Sequence, residues 1–352
     1  MDRCSQWTLR LCRVHARAGL RCFPLLLVAG ASASALAQLQ AQTQTQTQTQ
    51  TQTQVWPART VRIVVPFTAG GTTDIVGRLI AQRLSEALGQ QFIIDNRAGA
   101  GGMLGMEIVA KGTPDGYTVV LGSTSSTAVI VGLYPKMPYD PIKDLAPIMQ
   151  VATGPYVLAV HPTLPTMNVA QLIALARSRP GELNFGSSGN GTALHLSAEL
   201  LRSMTGTKMV HVPYKGASAA MPDLLSGQTQ FMFSDMPLFA PFVKAGKLRA
   251  IAVTTAKRSS LLPDLPPIGE TVPGYEATSW YGFMAPAGTP REIISRFNAE
   301  LIKVLRLPDI RERYRELGIE PVEGTPEQFG AYIVSEIKRW SAVIKAAGVK
   351  ID

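Results

Sequence analysis

Short β-branched runs alternate with longer segments of helical periodicity from residue 61 onward. Val61–Val65 is mostly β-branched, as in a buried strand, and Pro66 prevents its extension. Apolar residues then recur every four positions from residue 76 to residue 88, which predicts an amphipathic helix that Thr72 and Thr73 can cap. The pattern therefore predicts a strand, a glycine turn and a helix.

The same alternation continues along the chain. Further strands are predicted at 92–95, 117–121, 156–160, 183–185, 209–212, 230–233, 248–254 and 279–285. Further helices are predicted at 169–177, 193–204, 217–225, 290–305, 310–317 and 326–347, and the glycine-rich segment 99–105 leads into a helix that ends at residue 111. This order predicts an α/β fold with parallel or mixed sheets and helices on both faces. The number of strands favours two α/β domains.

Residues 1–54 lack this alternation. Five arginines lie between residues 3 and 21, an apolar run follows at 23–30, and Ala35-Leu36-Ala37 is a small-residue cleavage site. This pattern is typical of a secretory signal peptide over residues 1–37, because the apolar run is well short of the roughly 20 residues of a spanning helix. The Gln-Thr alternation behind it has no apolar face to bury, so residues 38–54 are predicted to be a disordered tether.

Removing the signal peptide changes the charge and cysteine arguments. The chain has 34 basic and 25 acidic residues, and residues 1–37 contain five arginines and one aspartate, which leaves a mature excess of five positive charges. This excess is mild and scattered, whereas a nucleic-acid-binding protein needs a clustered basic face. All three cysteines lie in the signal peptide, which excludes disulfides, thiol nucleophiles and cysteine metal sites in the mature chain. No metal or cofactor is predicted.

The turn between the first strand and the first helix is a candidate anion site. Gly70 and Gly71 allow backbone amides to approach a ligand closely, and the helix start behind them has unpaired N–H groups. Similar junctions of glycine and small hydroxyl residues follow later strands, at 122–127, 186–192, 213–216 and 234–235. Each could be an ordinary turn, but ligands of open α/β sheets bind beyond the carboxyl ends of the strands. Together the junctions predict a site for a small oxygen-rich anion.

Signatures of an enzyme are weak. Residues 186–189 lack the Gly-x-Ser-x-Gly spacing of a nucleophile elbow, and no glycine loop is followed by a Walker lysine. A secreted serine hydrolase that uses Ser188 or Ser123 with His195 and Asp235 is the enzyme alternative. His195 could face Glu199 across a helical turn, although a structural role for this histidine is more common.

Two further groups have alternative roles. Asp74, in the first helical turn, either stabilises the helix dipole or faces the ligand and selects for an amine. Aromatic residues could line a cleft or pack in the core; they are Tyr139, Tyr156, Trp280, Tyr281 and Phe283.

Taken together, the motifs resemble those of the Bug family, the periplasmic solute-binding receptors of tripartite tricarboxylate transporters. The matching segments are Val-Pro-Phe-Thr-Ala-Gly-Gly-Thr-Thr-Asp (65–74), Asp-Asn-Arg-Ala-Gly-Ala-Gly-Gly (95–102), Pro-Asp-Gly-Tyr-Thr (114–118), Phe-Gly-Ser-Ser-Gly (185–189), His-Leu-Ser-Ala-Glu (195–199), Val-Pro-Tyr-Lys-Gly (212–216) and Leu-Arg-Ala-Ile-Ala-Val-Thr (248–254). They are collinear over nearly the whole mature chain. Family members usually have Glu and Pro where this chain has Asp95 and Ala98.

The resemblance implies a two-domain, type II periplasmic-binding fold that closes like a Venus flytrap. One domain would comprise residues 55–155 and 279–352, the other residues 156–278, with the hinge near 156–160 and 279–285. The implied protein is a periplasmic monomer, not an enzyme, that binds a small carboxylate (a dicarboxylate, an amino acid or an aromatic acid) and delivers it to membrane subunits of the transporter. A receptor that signals through a membrane partner instead is an equally good alternative.

The candidate ligand-binding residues combine the glycine and hydroxyl junctions with this resemblance. They are Phe67, Thr68, Ala69, Gly70, Gly71, Thr72, Asp74, Ser123, Thr124, Ser125, Ser187, Ser188, Asn190, Gly191, Thr192, His195, Tyr214, Lys215 and Asp235.

Overall fold

The computed structural model describes residues 56–347, so the predicted signal peptide and tether lie outside the described residues. This part of the chain contains ten strands: β1 (Val61–Val65), β2 (Phe92–Asn96), β3 (Thr118–Ser123), β4 (Leu145–Val160), β5 (Asn184–Ser187), β6 (Val210–Pro213), β7 (Phe231–Asp235), β8 (Arg249–Val253), β9 (Thr278–Pro286) and β10 (Glu320–Pro321). It also contains ten α-helices: α1 (Thr72–Leu88), α2 (Met103–Ala110), α3 (Ile130–Leu133), α4 (Val169–Ser178), α5 (Ala193–Thr205), α6 (Ala217–Leu225), α7 (Met236–Lys244), α8 (Arg291–Leu305), α9 (Pro308–Glu316) and α10 (Pro326–Ala347). The predicted α/β alternation is confirmed.

The strands form one mixed sheet in the order β2-β1-β3-β9-β4-β7-β5-β6, with β8 and β10 also paired to β4. Pairs β1/β2, β1/β3, β5/β6 and β5/β7 are parallel, as helical crossovers require. Every pair that includes β4 or β9 is antiparallel. Purely parallel sheets are therefore excluded, and the mixed alternative is the one observed.

Strand β4 changes partners along its length. Residues 145–155 pair with β9, whereas residues 156–160 pair with β7 and β8. The strand thus connects the β1–β3 group of strands to the β5–β8 group, and the change falls at the predicted boundary between residues 155 and 156. The division of the chain into two domains stays a prediction.

Several elements were missed, and two of them contain residues that usually end strands or helices. Pro147, Gly154 and Pro155 concealed the first eleven residues of β4, and a register shift beside Pro147 shows how the strand accommodates the first of them. Helix α7 was missed because it contains two prolines; Pro237 lies in its first turn, where a missing N–H costs little. The turn 124–129 is a short π-helix that continues into α3, not a loop.

Three of the five aromatic candidates belong to the core. The Tyr139 hydroxyl donates to the Ser126 carbonyl over 2.9 Å, and Trp280 Nε1 donates to the carboxylate of Glu336 over 3.2 Å. Phe283 is fully buried against Phe297. Core packing is therefore the observed role of these side chains. No helix within residues 56–347 is long and apolar enough to cross a membrane.

Candidate functional site

The loop between β1 and α1 exposes the amides of a helix start. Gly70 adopts φ +77°, a conformation that favours glycine, and Gly71 is the N-cap of α1. Because Gly71 has no side chain to cap the helix, the N–H groups of the first turn are available to a ligand. Thr72 and Thr73 form this turn, and both line an internal cavity.

Asp74 lies one residue further along but does not line this cavity. Its carboxylate accepts hydrogen bonds from Gly70 N (2.9 Å), Arg78 Nε (2.9 Å) and Asn96 Nδ2 (3.0 Å). Burial raises the pKa of Asp74, but these three donors outweigh burial, so the pKa lies below its usual range. The contacts support its stabilising role at the helix start.

The junction behind β3 contributes two serines. Ser123 is the N-cap of the turn 124–129, and its amide donates to Ser126 Oγ over 3.1 Å, as in a capping box. Ser125 Oγ accepts from Ala193 N at the start of α5 (2.9 Å), which leaves its own proton free to donate. Both Ser123 and Ser125 line the cavity. Thr124 instead accepts from Trp280 N and holds β9 in place.

The junction behind β5 contributes Ser188, whereas its other predicted residues have local roles. Ser187 Oγ lies 2.6 Å from His211 Nε2, and Thr192 caps α5 by accepting from His195 N. The amide of Gly191 donates to His195 Nδ1 over 3.1 Å. These three residues organise the loop and do not line the cavity.

His195 and His211 stack on each other with ring centroids 3.8 Å apart. Burial, followed by the proximity of His195 and Arg202, lowers the pKa of His211 to about 3, so this ring is neutral. The expected approach of His195 to Glu199 is observed at 3.7 Å. Neither ring nitrogen of His195 bonds Ser123 or Ser188 in the described structure. The arrangement therefore gives the hydrolase alternative no serine–histidine pair at the cavity.

Asp235 ends β7 and is buried at the cavity wall. Its Oδ2 accepts from the Tyr281 hydroxyl over 2.6 Å, and Tyr156 lies opposite it in the strand register. Burial raises the pKa of Asp235 to about 6, against the opposite effect of the nearby Ser279, Tyr281 and Thr72 hydroxyls. Burial, followed by the charge of Asp235, also raises the pKa of Tyr281 far above its usual value.

The cavity walls are polar but contain no Lys, Arg or His among the described lining residues. These residues are Phe67, Gly71, Thr72, Thr73, Ser123, Ser125, Tyr156, Ser188, Leu194, Ala217, Ser234, Asp235 and Tyr281. Four α-helices begin here, because the first-turn or N-cap residues of α1, α5, α6 and α7 are part of the wall. Helix N-termini carry partial positive charge, so the cavity favours an anion without a cationic side chain.

Three buried oxygens on this wall have no hydrogen-bond partner among the described residues. They are Thr72 Oγ1, Ser234 Oγ and Asp235 Oδ1. A buried polar atom that lacks a partner is costly, and native structures contain few of them. Their convergence on one cavity indicates that a ligand or water supplies the missing bonds.

Other predicted residues lie in an outer groove. Its wall includes Thr68, Asn190, Tyr214 and Lys215. Here the first loop meets the start of α6, because Ser218 Oγ donates to the Ala69 carbonyl over 2.8 Å and bonds Thr68 Oγ1 over 2.7 Å. None of these four residues is part of the wall of the inner cavity.

Sequence reasoning missed four lining residues: Thr73, Leu194, Ala217 and Ser234. Each lies at a junction that the glycine and hydroxyl pattern had selected, or in the first helical turn behind one. Their position in the sequence could have identified them, because the first turn of a helix that follows a strand lies at the same edge of the sheet as the connecting loop. Tyr156 and Tyr281 line the cavity. Lining a cleft was one of the two roles that the sequence left open for them, the other being core packing.

Comparisons with known proteins identify the family. Residues 76–349 match the model of the tripartite tricarboxylate transporter family receptor. The chain is 39% identical over 291 residues to the UPF0065 protein in the tcbD-tcbE intergenic region of Pseudomonas sp. (strain P51), which covers 82% of this chain and 86% of that protein. It is 37% identical over 298 residues to BugT of Bordetella pertussis, with 84% and 91% covered.

Solved structures agree with this assignment. R. palustris Rpa4515 with adipate is 44% identical, with a TM-score of 0.82 over 84% of this chain and 99% of that one. The periplasmic binding protein BugD is 33% identical, with a TM-score of 0.81 over 84% and 99%. MatC (Rpa3494) from Rhodopseudomonas palustris with bound malate is 32% identical, with a TM-score of 0.78 over 82% and 100%.

These neighbours confirm the expected class of fold, and members of the family are binding proteins. The collinear motifs, the mixed α/β sheet and the matches over more than three quarters of the chain agree with one another. The chain belongs to the receptor family of tripartite tricarboxylate transporters, as the Bug proteins do.

Proposed function

We propose that this protein captures a small carboxylate in the inner cavity and delivers it to the membrane subunits of a tripartite transporter. The observation that carries the proposal is the cavity wall, which combines four helix N-termini with three unpartnered buried oxygens. Such a wall replaces the hydration of an anion by fixed dipoles and hydroxyls. The relatives with adipate and malate support the same class of ligand.

In this proposal, one ligand carboxylate lies at the start of α1. The amides of Thr72 and Thr73 and the hydroxyl of Ser125 donate to it. Hydrogen bonds to a charged group contribute roughly 1.5–3 kcal/mol each, so a few of them can hold an acid without an arginine. Ser188 and Ala217 approach from the β5–β8 side, which makes binding depend on both groups of strands.

Closure of two lobes explains how a ligand reaches a buried site. The lobes are residues 55–155 with 279–352, and residues 156–278, with the hinge where β4 changes partners. The protein acts as a monomer in the periplasm after cleavage of its signal peptide. The known periplasmic location of family members supports this placement.

Thermal-shift assays and calorimetry on residues 38–352 test the proposal. The panel comprises succinate, malate, adipate, glutamate, benzoate and nicotinate, with adipamide as an uncharged control matched in length to adipate. We expect at least one acid to stabilise the protein by about 2.7 kcal/mol at a hundred times its dissociation constant. We expect adipamide to have no effect. Absence of stabilisation by every acid would contradict the proposed function.

A further inference from the structure

Asp235 occupies the N-cap position of α7 but does not cap the helix. An N-cap aspartate ordinarily accepts a bond from an amide of its own first turn. Here the side chain makes no such bond, and the second residue of the helix is Pro237, which has no N–H. The carboxyl turns to the cavity instead and accepts from Tyr281. Helix capping therefore does not explain this acid.

The second oxygen of Asp235 has no protein partner. Oδ1 is buried without a hydrogen bond among the described residues, and the whole residue is 3% exposed. A carboxyl oxygen in this position is expected to bond whatever occupies the cavity. The question is whether Oδ1 accepts a proton from the ligand or donates one to it.

No cationic side chain among the described residues faces Asp235. The titratable groups that face it are Tyr281 on β9 and Tyr156 on β4, and burial keeps both neutral. Behind Tyr156, α10 carries an ion pair between Glu336 and Arg339, which compensate each other. An ionised Asp235 would also repel a ligand carboxylate held in the same cavity.

We propose that Asp235 carries a proton when the cavity holds a dicarboxylate, and that its O–H donates from Oδ1 to the second ligand carboxylate. This proposal rests on the proposed function and assigns Asp235 as its specificity-determining residue. Oδ2 keeps its bond from Tyr281, so both carboxyl oxygens are satisfied. The proton comes from solvent on binding, and no covalent bond is made or broken.

The raised pKa of Asp235, about 6, sets the size of the effect. If only the protonated form binds, affinity falls tenfold for each pH unit well above that value. Between pH 6.5 and pH 8.5 we expect the dissociation constant to rise by on the order of 100-fold. Small dicarboxylates are mostly dianions throughout this range, because their second carboxyl group titrates below about pH 6. Titration of the ligand therefore contributes little.

Calorimetry at pH 6.5 and pH 8.5 tests the proposal on the wild-type protein and on Asp235→Asn. The probes are succinate, malate and adipate, with aspartate and 2-aminoadipate as counterparts that carry an amine. We expect the dicarboxylates to bind the wild type much more tightly at pH 6.5. The asparagine amide donates a hydrogen bond without titrating, so we expect Asp235→Asn to bind them equally at both pH values and more tightly than the wild type at pH 8.5.

Two further readouts separate this role from a structural one. Titrations at pH 7.5 in buffers of different ionisation enthalpy should show uptake of about one proton by the wild type and none by Asp235→Asn. Tyr281→Phe removes the donor that stabilises the ionised carboxylate. We therefore expect this variant to shift the pH dependence to higher pH, whatever its effect on affinity.

Each other outcome has a definite meaning. Dicarboxylate binding by the wild type that does not change between pH 6.5 and pH 8.5 would overturn the proposal and leave the proposed function intact. Selective binding of the amines, lost in Asp235→Asn at both pH values, would show that an ionised Asp235 accepts from an ammonium, and would also overturn it. Absence of binding by all five acids, with binding of another acid of the wider panel, would overturn this proposal alone; absence of binding by every acid tested would contradict the proposed function as well.

Discussion

Asp74 and Asp235 are two aspartates at helix starts, equally buried at 3% exposed, with opposite environments. Asp74 accepts bonds from three donors that surround its carboxylate. Asp235 Oδ2 accepts a hydrogen bond from the Tyr281 hydroxyl, and Oδ1 has no hydrogen-bond partner among the described residues. The pKa is accordingly lowered at Asp74 and raised to about 6 at Asp235. Burial opposes ionisation at both sites; at Asp74 the cationic Arg78 and two further donors outweigh it, whereas at Asp235 the neutral hydroxyls do not.

The difference also separates stability from function. Asp74 holds the first loop to the helix behind it, so its donors belong to the protein. Asp235 lines the cavity and has one oxygen without a hydrogen-bond partner among the described residues. The comparison predicts that matched Asp→Asn substitutions act in opposite directions on the ligand-free protein.

The largest effect is expected from Asp235→Asn as pH rises. Because the pKa of Asp235 is raised, from 3.8 to about 6, its contribution to stability is complete below pH 3.8 and is lost as pH rises through 6. The wild type should therefore lose about 3 kcal/mol of unfolding free energy relative to the variant between pH 4 and pH 8. Urea unfolding at five pH values measures this difference. A difference that stays constant with pH would refute the raised pKa.

Asp74→Asn should show the reverse dependence. The NH2 group of the asparagine would face one of the three N–H donors and could not accept from it. We therefore expect the free energy of unfolding to fall by about 2 kcal/mol at pH 7. Because the pKa of Asp74 is lowered, the stability that it contributes is present above about pH 4 and is lost as pH falls through its folded value. The cost of the substitution should therefore shrink below pH 4 in the same urea experiment. A variant of unchanged stability that binds acids more weakly would restore the ligand-amine hypothesis.

Gly216→Ala tests whether ligand affinity depends on the close contact between the first loop and the start of α6. A Cβ at Gly216 would lie 2.1 Å from Thr68 Oγ1, so the first loop and the start of α6 must separate. We expect affinity for the best acid of the panel to fall about tenfold, or about 1.4 kcal/mol. Gly269→Ala is the control, because its Cβ would meet only the Tyr275 carbonyl at 3.4 Å. Equal affinities in calorimetry would contradict the role of this contact.

The smallest effect is expected from Arg78→Ala. This arginine donates to Asp74 from a side chain that is 56% exposed, and exposed ion pairs contribute about 0–1 kcal/mol. We expect thermal unfolding to shift by a few degrees at low salt and by less at high salt. A loss of more than 2 kcal/mol would mean that Arg78, and not the amide donors, determines the environment of Asp74.

The sequence predicted the elements where hydrophobic period and turn chemistry agree, as in β1 and α1. It failed where tertiary pairing overrides a local rule. Pro147 and Pro155 are ordinary strand breakers, yet β4 passes through both, because β9 pairs with it over nine residues and a bulge absorbs the irregularity. Helix α7 likewise tolerates Pro237 because its first turn needs no N–H there.

Local composition located the cavity but not its exact lining. Residues from four of the five junctions line one cavity, yet adjacent serines diverge: Ser187 contacts His211, whereas Ser188 lines the cavity. Successive side chains at the end of a strand point to opposite sides, so one position decides the outcome. No count of hydroxyl residues along the chain can resolve this.

By itself, the sequence determined the α/β order, the family motifs and the absence of cysteine from residues 38–352. These properties follow from periodicity and composition, which are local. Only the tertiary structure decided that the Asp74 carboxylate accepts three hydrogen bonds and that one oxygen of Asp235 has no partner among the described residues. The physical reason is that the donors around a carboxyl come from distant parts of the chain, as Tyr281 does for Asp235.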